Sequence, residues 1–158
     1  MLPAVSDQSD VVSVERVIAA PPETIFELLV DPNRHRDIDG SGSVRSAKGG
    51  SPRLALGSRF GMSMRMGLPY TMESTVIEFE ENRRVAWQTT GPGRIGARVG
   101  GRIWRYELEP VDGGTLVRES WDISKESAMT KPVVRLGADK TRKNMAATLE
   151  RIEQLVTA

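Results

Sequence analysis

The chain has 158 residues, enough for one domain with its own core, and carries no internal repeat. Its 22 Lys and Arg nearly cancel 21 Asp and Glu, so a formal charge of +1 provides no global field for nucleic acid or anionic lipid. Without cysteine it has no disulfide, thiolate nucleophile or cysteine-based zinc site.

Residues 1–10 read as a flexible N-terminus and residues 11–158 as a single domain. Met1 to Asp10 show no basic start followed by an apolar run. No stretch reaches the roughly 18 apolar residues of a membrane span. A soluble cytoplasmic protein is the expectation. Val11, Val12, Val14, Val17 and Ile18 form a β-branched run that predicts a strand, ending at Pro21 and Pro22. Proline is tolerated in a first helical turn, and Ile25, Phe26, Leu28 and Leu29 recur at helical spacing, so a short amphipathic helix follows. Asp31 and Pro32 offer a cap and first turn for a second short helix to about Asp37, which Gly40 and Gly42 terminate.

From Ser43 to Ile123, five turn clusters separate six segments. Connections this short cannot hold a crossover helix, so successive strands pair antiparallel as a meander. Phe60, Met62, Met64 and Met66 alternate with Arg59, Ser63 and Arg65, and Trp104, Tyr106 and Leu108 alternate with Arg105 and Glu107. A helix then runs from near Thr130 to about Val156, about 25 residues and roughly 37 Å long. Its apolar stripe is Val134, Ala138, Thr141, Met145, Leu149, Ile152 and Val156. Gly137, inside that stretch, predicts a kink or a close approach to a neighbour. The total is an α+β order: a curved seven-stranded antiparallel sheet, two short helices after the first strand, and a long C-terminal helix across the concave face.

This order resembles the helix-grip (Bet v 1-like) fold, and several segments resemble the SRPBCC superfamily, in its polyketide cyclase/dehydrase and lipid-transport branch. They are Ile18-Ala19-Ala20-Pro21-Pro22-Glu23, Asp31-Pro32, Val85-Ala86-Trp87, Trp104 through Pro110, and Gly113 through Ser120. The resemblance spans about Val11 to Val156. It implies a chamber between sheet and C-terminal helix that takes a small hydrophobic molecule, lipid or polyketide-like. It does not choose between carrier and cyclase.

The residues supply candidates for such a site. Met62, Met64, Met66 and Met72 make an adaptable apolar wall, which ordinary core packing explains equally well. Trp87, Trp104 and Trp121 fall on three successive strands although aromatics are only 5% of the chain, and at least one is expected to reach the chamber. Glu119 shares a face with Val117 and Trp121. If that face points inward, its carboxyl is desolvated and suited to acid or base work, unless Arg16 or Arg105 pairs with it. Tyr70 and Tyr106 are possible hydrogen-bonding helpers. His35, the only histidine, lies beside Asp31, Asp37 and Asp39, but a lone imidazole in a short surface helix reads as solvated, with no metal site. If the helix instead borders the chamber mouth, His35 touches ligand.

Gly91, Gly93 and Gly96 spell a formal G-x-G-x-x-G, yet no helix of useful length follows, so no dinucleotide cofactor is expected and the segment reads as a mobile hairpin. Arg94, Arg98 and Arg102 on it leave room for an anion or transient membrane contact. Three functions stand: a carrier of a hydrophobic ligand, a cyclase or aromatase using Glu119, and an interaction module. Nucleic acid is not an expected partner, and monomer and homodimer stay open.

Overall fold

The computed structural model of the chain describes residues 10–41, 44–48, 52–66, 68–96 and 98–158, with side chains described outside 42–51 and 62–70. Of the flexible start expected at residues 1–10, residues 1–9 lie outside that range, and the Asp10 carbonyl accepts from the Ile123 amide at 2.9 Å. Strand β1 (Val11–Ile18) stops before Pro21, whose extended backbone (φ −69°, ψ 153°) leads into helix α1 (Pro22–Leu29) with Pro22 in its first turn. Ile25, Phe26, Leu28 and Leu29 of α1 are buried. The predicted second helix is a 3-10 turn (Pro32–Arg34) running into the single turn α2 (His35–Ile38). Asp31 caps it by accepting from the Asn33 amide at 3.0 Å.

Six further strands follow: β2 (Val44–Lys48), β3 (Arg59–Met66), β4 (Leu68–Glu80), β5 (Arg84–Thr90), β6 (Gly100–Val111) and β7 (Gly114–Asp122). All neighbours pair antiparallel in the order β1-β7-β6-β5-β4-β3-β2, as short turns require. Irregularities between Val76 and Glu78 and between Thr89 and Thr90 interrupt the ladders and bend the sheet. The first returns Val76 and Phe79 to one face, opposite Trp87 and Val85. The hairpin before β6, expected to be mobile, contains one helical turn, α3 (Gly93–Gly96), where the Gly91 and Gly96 backbones pack against each other.

The predicted single C-terminal rod is two helices, α4 (Lys131–Arg135) and α5 (Ala138–Thr157), interrupted at Leu136 and Gly137. Among the described residues a Cβ on Gly137 would touch only the Val134 carbonyl, at 3.4 Å. The break is therefore a kink, without close packing against another element among the described residues. Helix α5 lies across β1 and β7 and also meets α1 and α2, burying Met145, Thr148, Leu149 and Ile152.

Two hydrophobic clusters result. Phe26, Leu29, Phe60, Trp87, Tyr106, Leu149 and Ile152 belong to the larger; Val12, Trp121, Ile123 and Met145 make the smaller, and the partly buried Val14 and Trp104 touch both. Each fully buried side chain of this size contributes roughly 1.5–3 kcal/mol.

Gly40, predicted only to end a helix, has a second reason to be glycine. Its amide donates to Thr148 Oγ1 at 2.9 Å, and a Cβ there would overlap the Asn144 carbonyl, the Thr148 amide and Ala147. Two of these atoms are helical backbone and cannot yield. Gly40→Ala is expected to lower stability by roughly 1–3 kcal/mol, measured by urea denaturation, with the midpoint falling while the slope is kept.

Candidate functional site

Alternation along β5, β6 and β7 sets the inner wall. Trp87, Trp104 and Trp121 stand opposite one another in register, forming a row across three strands, and two residues along β6 and β7 Tyr106 stands opposite Glu119. Trp121 and Tyr106 are buried, whereas Trp104 keeps partial exposure, its ring centroid 6.5 Å from that of Trp121. Trp87 and Tyr106 are 5.7 Å apart. The two rows bring the aromatic positions and the carboxyl together on one face.

Glu119 is buried on that face, and its partner is a hydroxyl. Tyr106 Oη donates to Glu119 Oε1 at 2.8 Å. The predicted arginine pairings do not form. Arg16 reaches Glu153 of α5 at 2.8 Å, since β1 runs beneath that helix. Arg105 alternates to the other face of the sheet, where its Nε donates to Glu78 Oε2 at 3.0 Å. With no cation opposite among the described residues, burial pushes the Glu119 carboxyl up to about 8; the Tyr106 hydrogen bond pulls it down in part, and the field of Asp39 adds to the rise. The same burial and the neighbouring carboxyl hold the Tyr106 phenol well above its ordinary value.

Glu119 Oε2 is buried with no hydrogen-bond partner among the described residues. Because Oε1 accepts from Tyr106, a neutral Glu119 carries its proton on Oε2. The group then presents one free donor below about pH 8 and one free acceptor above it. A buried polar atom left this way costs about 1–3 kcal/mol, so its retention at the junction of two apolar clusters calls for an explanation.

His35 corrects the solvated expectation. It is buried, its Nε2 donates to the Leu29 carbonyl at 2.8 Å, and its ring stacks on Trp87 at 5.0 Å and meets Phe60 edge-on at 5.5 Å. Burial outweighs the Leu29 hydrogen bond and the nearby Asp31 and Asp39, holding its pKa below the ordinary histidine value. His35 and Ile38, three apart on this single turn, are both buried. Ser74 and Thr89, not singled out by sequence, form a buried hydroxyl pair at 2.9 Å. Met72 is partly buried and stands opposite Met62 in register, as Tyr70 does opposite Met64. The side chains of Met62, Met64, Met66 and Tyr70 lie outside the described part of the structure. No cluster of three metal-ligating side chains occurs among the described residues. No helix among them is long and apolar enough to cross a membrane.

Comparison with known proteins agrees with this architecture. A protein from Chromobacterium violaceum has a TM-score of 0.71 at 14% identity, covering 96% of this chain and 99% of that one. A protein from Mycobacterium smegmatis has a TM-score of 0.70 at 18% identity, covering 94% and 92%. An uncharacterized protein of Mycobacterium tuberculosis is 34% identical over 114 residues, which are 71% of this chain and 47% of that protein. The chain thus spans about half the length of the curated relatives it matches. Residues 9–157 match the family described as polyketide cyclase / dehydrase and lipid transport. With sheet order, terminal helix and family match in agreement, the chain belongs to that polyketide cyclase/dehydrase and lipid-transport family of the SRPBCC superfamily.

Proposed function

We propose that the domain holds a small hydrophobic molecule between the concave sheet face and α5, with one oxygen of that molecule against Glu119. The observation that carries this reading is the unpartnered, buried Oε2 of Glu119 beside a row of three tryptophans. A carbonyl oxygen accepts from the neutral acid, and a hydroxyl serves either protonation state, so the ligand supplies the missing hydrogen bond. The half-buried Trp104 and Met72 offer apolar surface to the rest of it. Membership of a family of lipid carriers and cyclases supports the same reading.

A second reading has its own support. A carboxyl poised near pH 8 beside a phenol is suited to exchange a proton with a bound carbonyl compound, as cyclisation or dehydration requires. Positioning supplies much of the rate in such reactions, so one acid–base group suffices.

Native mass spectrometry of the purified protein, with titration of tryptophan fluorescence by fatty acids and aromatic ketones, tests the first reading. Saturable quenching and a copurified mass are expected. A protein that arrives empty and shows no saturable change with either class overturns it. Glu119→Gln separates the two readings: turnover lost by roughly a hundredfold or more with binding retained favours the enzyme, and unchanged turnover removes Glu119 as its acid or base.

A further inference from the structure

Large apolar side chains are exposed at one end of the sheet, where β1 begins, β5 and β7 end and β6 starts. Ile95, Met129, Val133 and Leu136 are each 71–87% exposed, and Val99 accompanies them. They come from two segments fastened together. The Ser127 amide donates to the Gly100 carbonyl at 2.8 Å, Arg102 reaches Glu126 at 3.5 Å, and Gly101 lies so close to the Lys125 carbonyl that a Cβ would collide with it. Helix α4 buries no residue of its own.

Charge is concentrated at the same place. Residues 91–102 and 124–136 hold six of the 22 Lys and Arg but one of the 21 Asp and Glu, so the other residues hold 16 and 20. The one carboxylate, Glu126, is buried and tied to Arg102 and Thr130. Lys131 and Arg135 share a single acid, Asp10, at 3.0 and 2.6 Å. Arg94, Arg98 and Lys125 are exposed and make no ion pair among the described residues. A net charge of +1 conceals this separation.

We propose that this end of the domain docks on an anionic lipid bilayer, its aliphatic side chains entering the headgroup boundary and its Lys and Arg meeting lipid phosphates. Four strongly exposed aliphatic side chains gain from leaving water at a bilayer boundary, whereas a nucleic acid backbone offers them nothing. The cations choose the sign of the surface, since each adds to binding near an anionic leaflet. The surface stands apart from Glu119, and the inference goes beyond ligand binding: either property is lost or kept without the other.

Cosedimentation with vesicles of phosphatidylcholine, alone or mixed with phosphatidylglycerol, tests it at low and high salt. Retention on the mixed vesicles only, weakened by salt, is expected. Arg94→Glu combined with Arg98→Glu should weaken it by roughly tenfold or more. Ile95→Ser combined with Leu136→Ser should weaken it comparably while its dependence on lipid charge persists. All four positions are exposed, so circular dichroism and the melting curve should match those of the parent. Equal retention on neutral vesicles, no retention, variants that bind like the parent, or retention on nucleic acid or self-association in place of vesicle binding would overturn the proposal.

Discussion

Glu119→Gln should abolish a loss of stability that the parent suffers as pH rises from about 5 to 8.5. The carboxyl ionises near its ordinary value of 4.5 when unfolded but near 8 in the folded chain, where burial outweighs the Tyr106 hydrogen bond. Between those values the native state keeps a proton that the unfolded chain releases. Stability from this group is therefore complete below about 4.5 and falls as pH rises through 8. The facing groups do not reverse that sign: Tyr106 stays neutral, its pKa raised, and the field of Asp39 adds to the penalty on a second charge. A shift of this size corresponds to roughly 3–5 kcal/mol, or about 2 M in urea midpoint at about 2 kcal/mol per molar. Glutamine keeps an oxygen to accept from Tyr106 and never ionises. Its urea midpoint should lack this fall, so the gap between variant and parent should widen across the window until the variant exceeds the parent at pH 8.5. Parallel profiles for parent and variant would mean that the Glu119 carboxyl ionises in contact with solvent.

The Tyr106–Glu119 pairing was within reach of the sequence because it is a matter of register. Asp112-Gly113-Gly114 places a tight turn between two alternating strands, and counting back from it puts Tyr106 opposite Glu119 and Trp104 opposite Trp121. A period-two pattern also says that Arg105 faces away from Glu119, which rules out one of the two ion pairs the sequence left open. What lay beyond reach depended on where separate elements land. Whether Arg16 meets Glu119 or Glu153 is decided by α5 crossing β1. His35 looked like a surface residue because its helix is one turn long and carries too few residues to display a periodic face. The C-terminal break was only half legible: Gly137 marked the position, but the choice between kink and close packing depended on whether another element came within reach, and among the described residues a Cβ there would meet only the Val134 carbonyl. Gly40 belongs to the same class, a backbone contact with α5 written in no local pattern.

The ring of His35 performs two tasks that replacement removes together, so His35→Ala should lower stability by about 2–4 kcal/mol. It fills the space between Trp87 and Phe60, and it satisfies the Leu29 carbonyl at the end of α1. Truncation leaves a void against two large rings and an acceptor without its donor. The pH profile distinguishes this from simple loss of packing. Folding holds the imidazole below its ordinary value of 6.5, so its contribution is present above that pH and is lost as pH falls through the folded value. Its slope is thus opposite to that of Glu119. Asp10 and Glu153, both lowered by their cationic partners, also lose stability in acid. Only the difference between parent and His35→Ala isolates the imidazole. That difference should shrink as pH drops below 6.5, because the parent is losing an advantage the variant never had. A gap that stays constant from pH 8 to pH 5 would show that His35 titrates alike in both states, which is incompatible with a ring enclosed by Trp87, Phe60 and the Leu29 carbonyl.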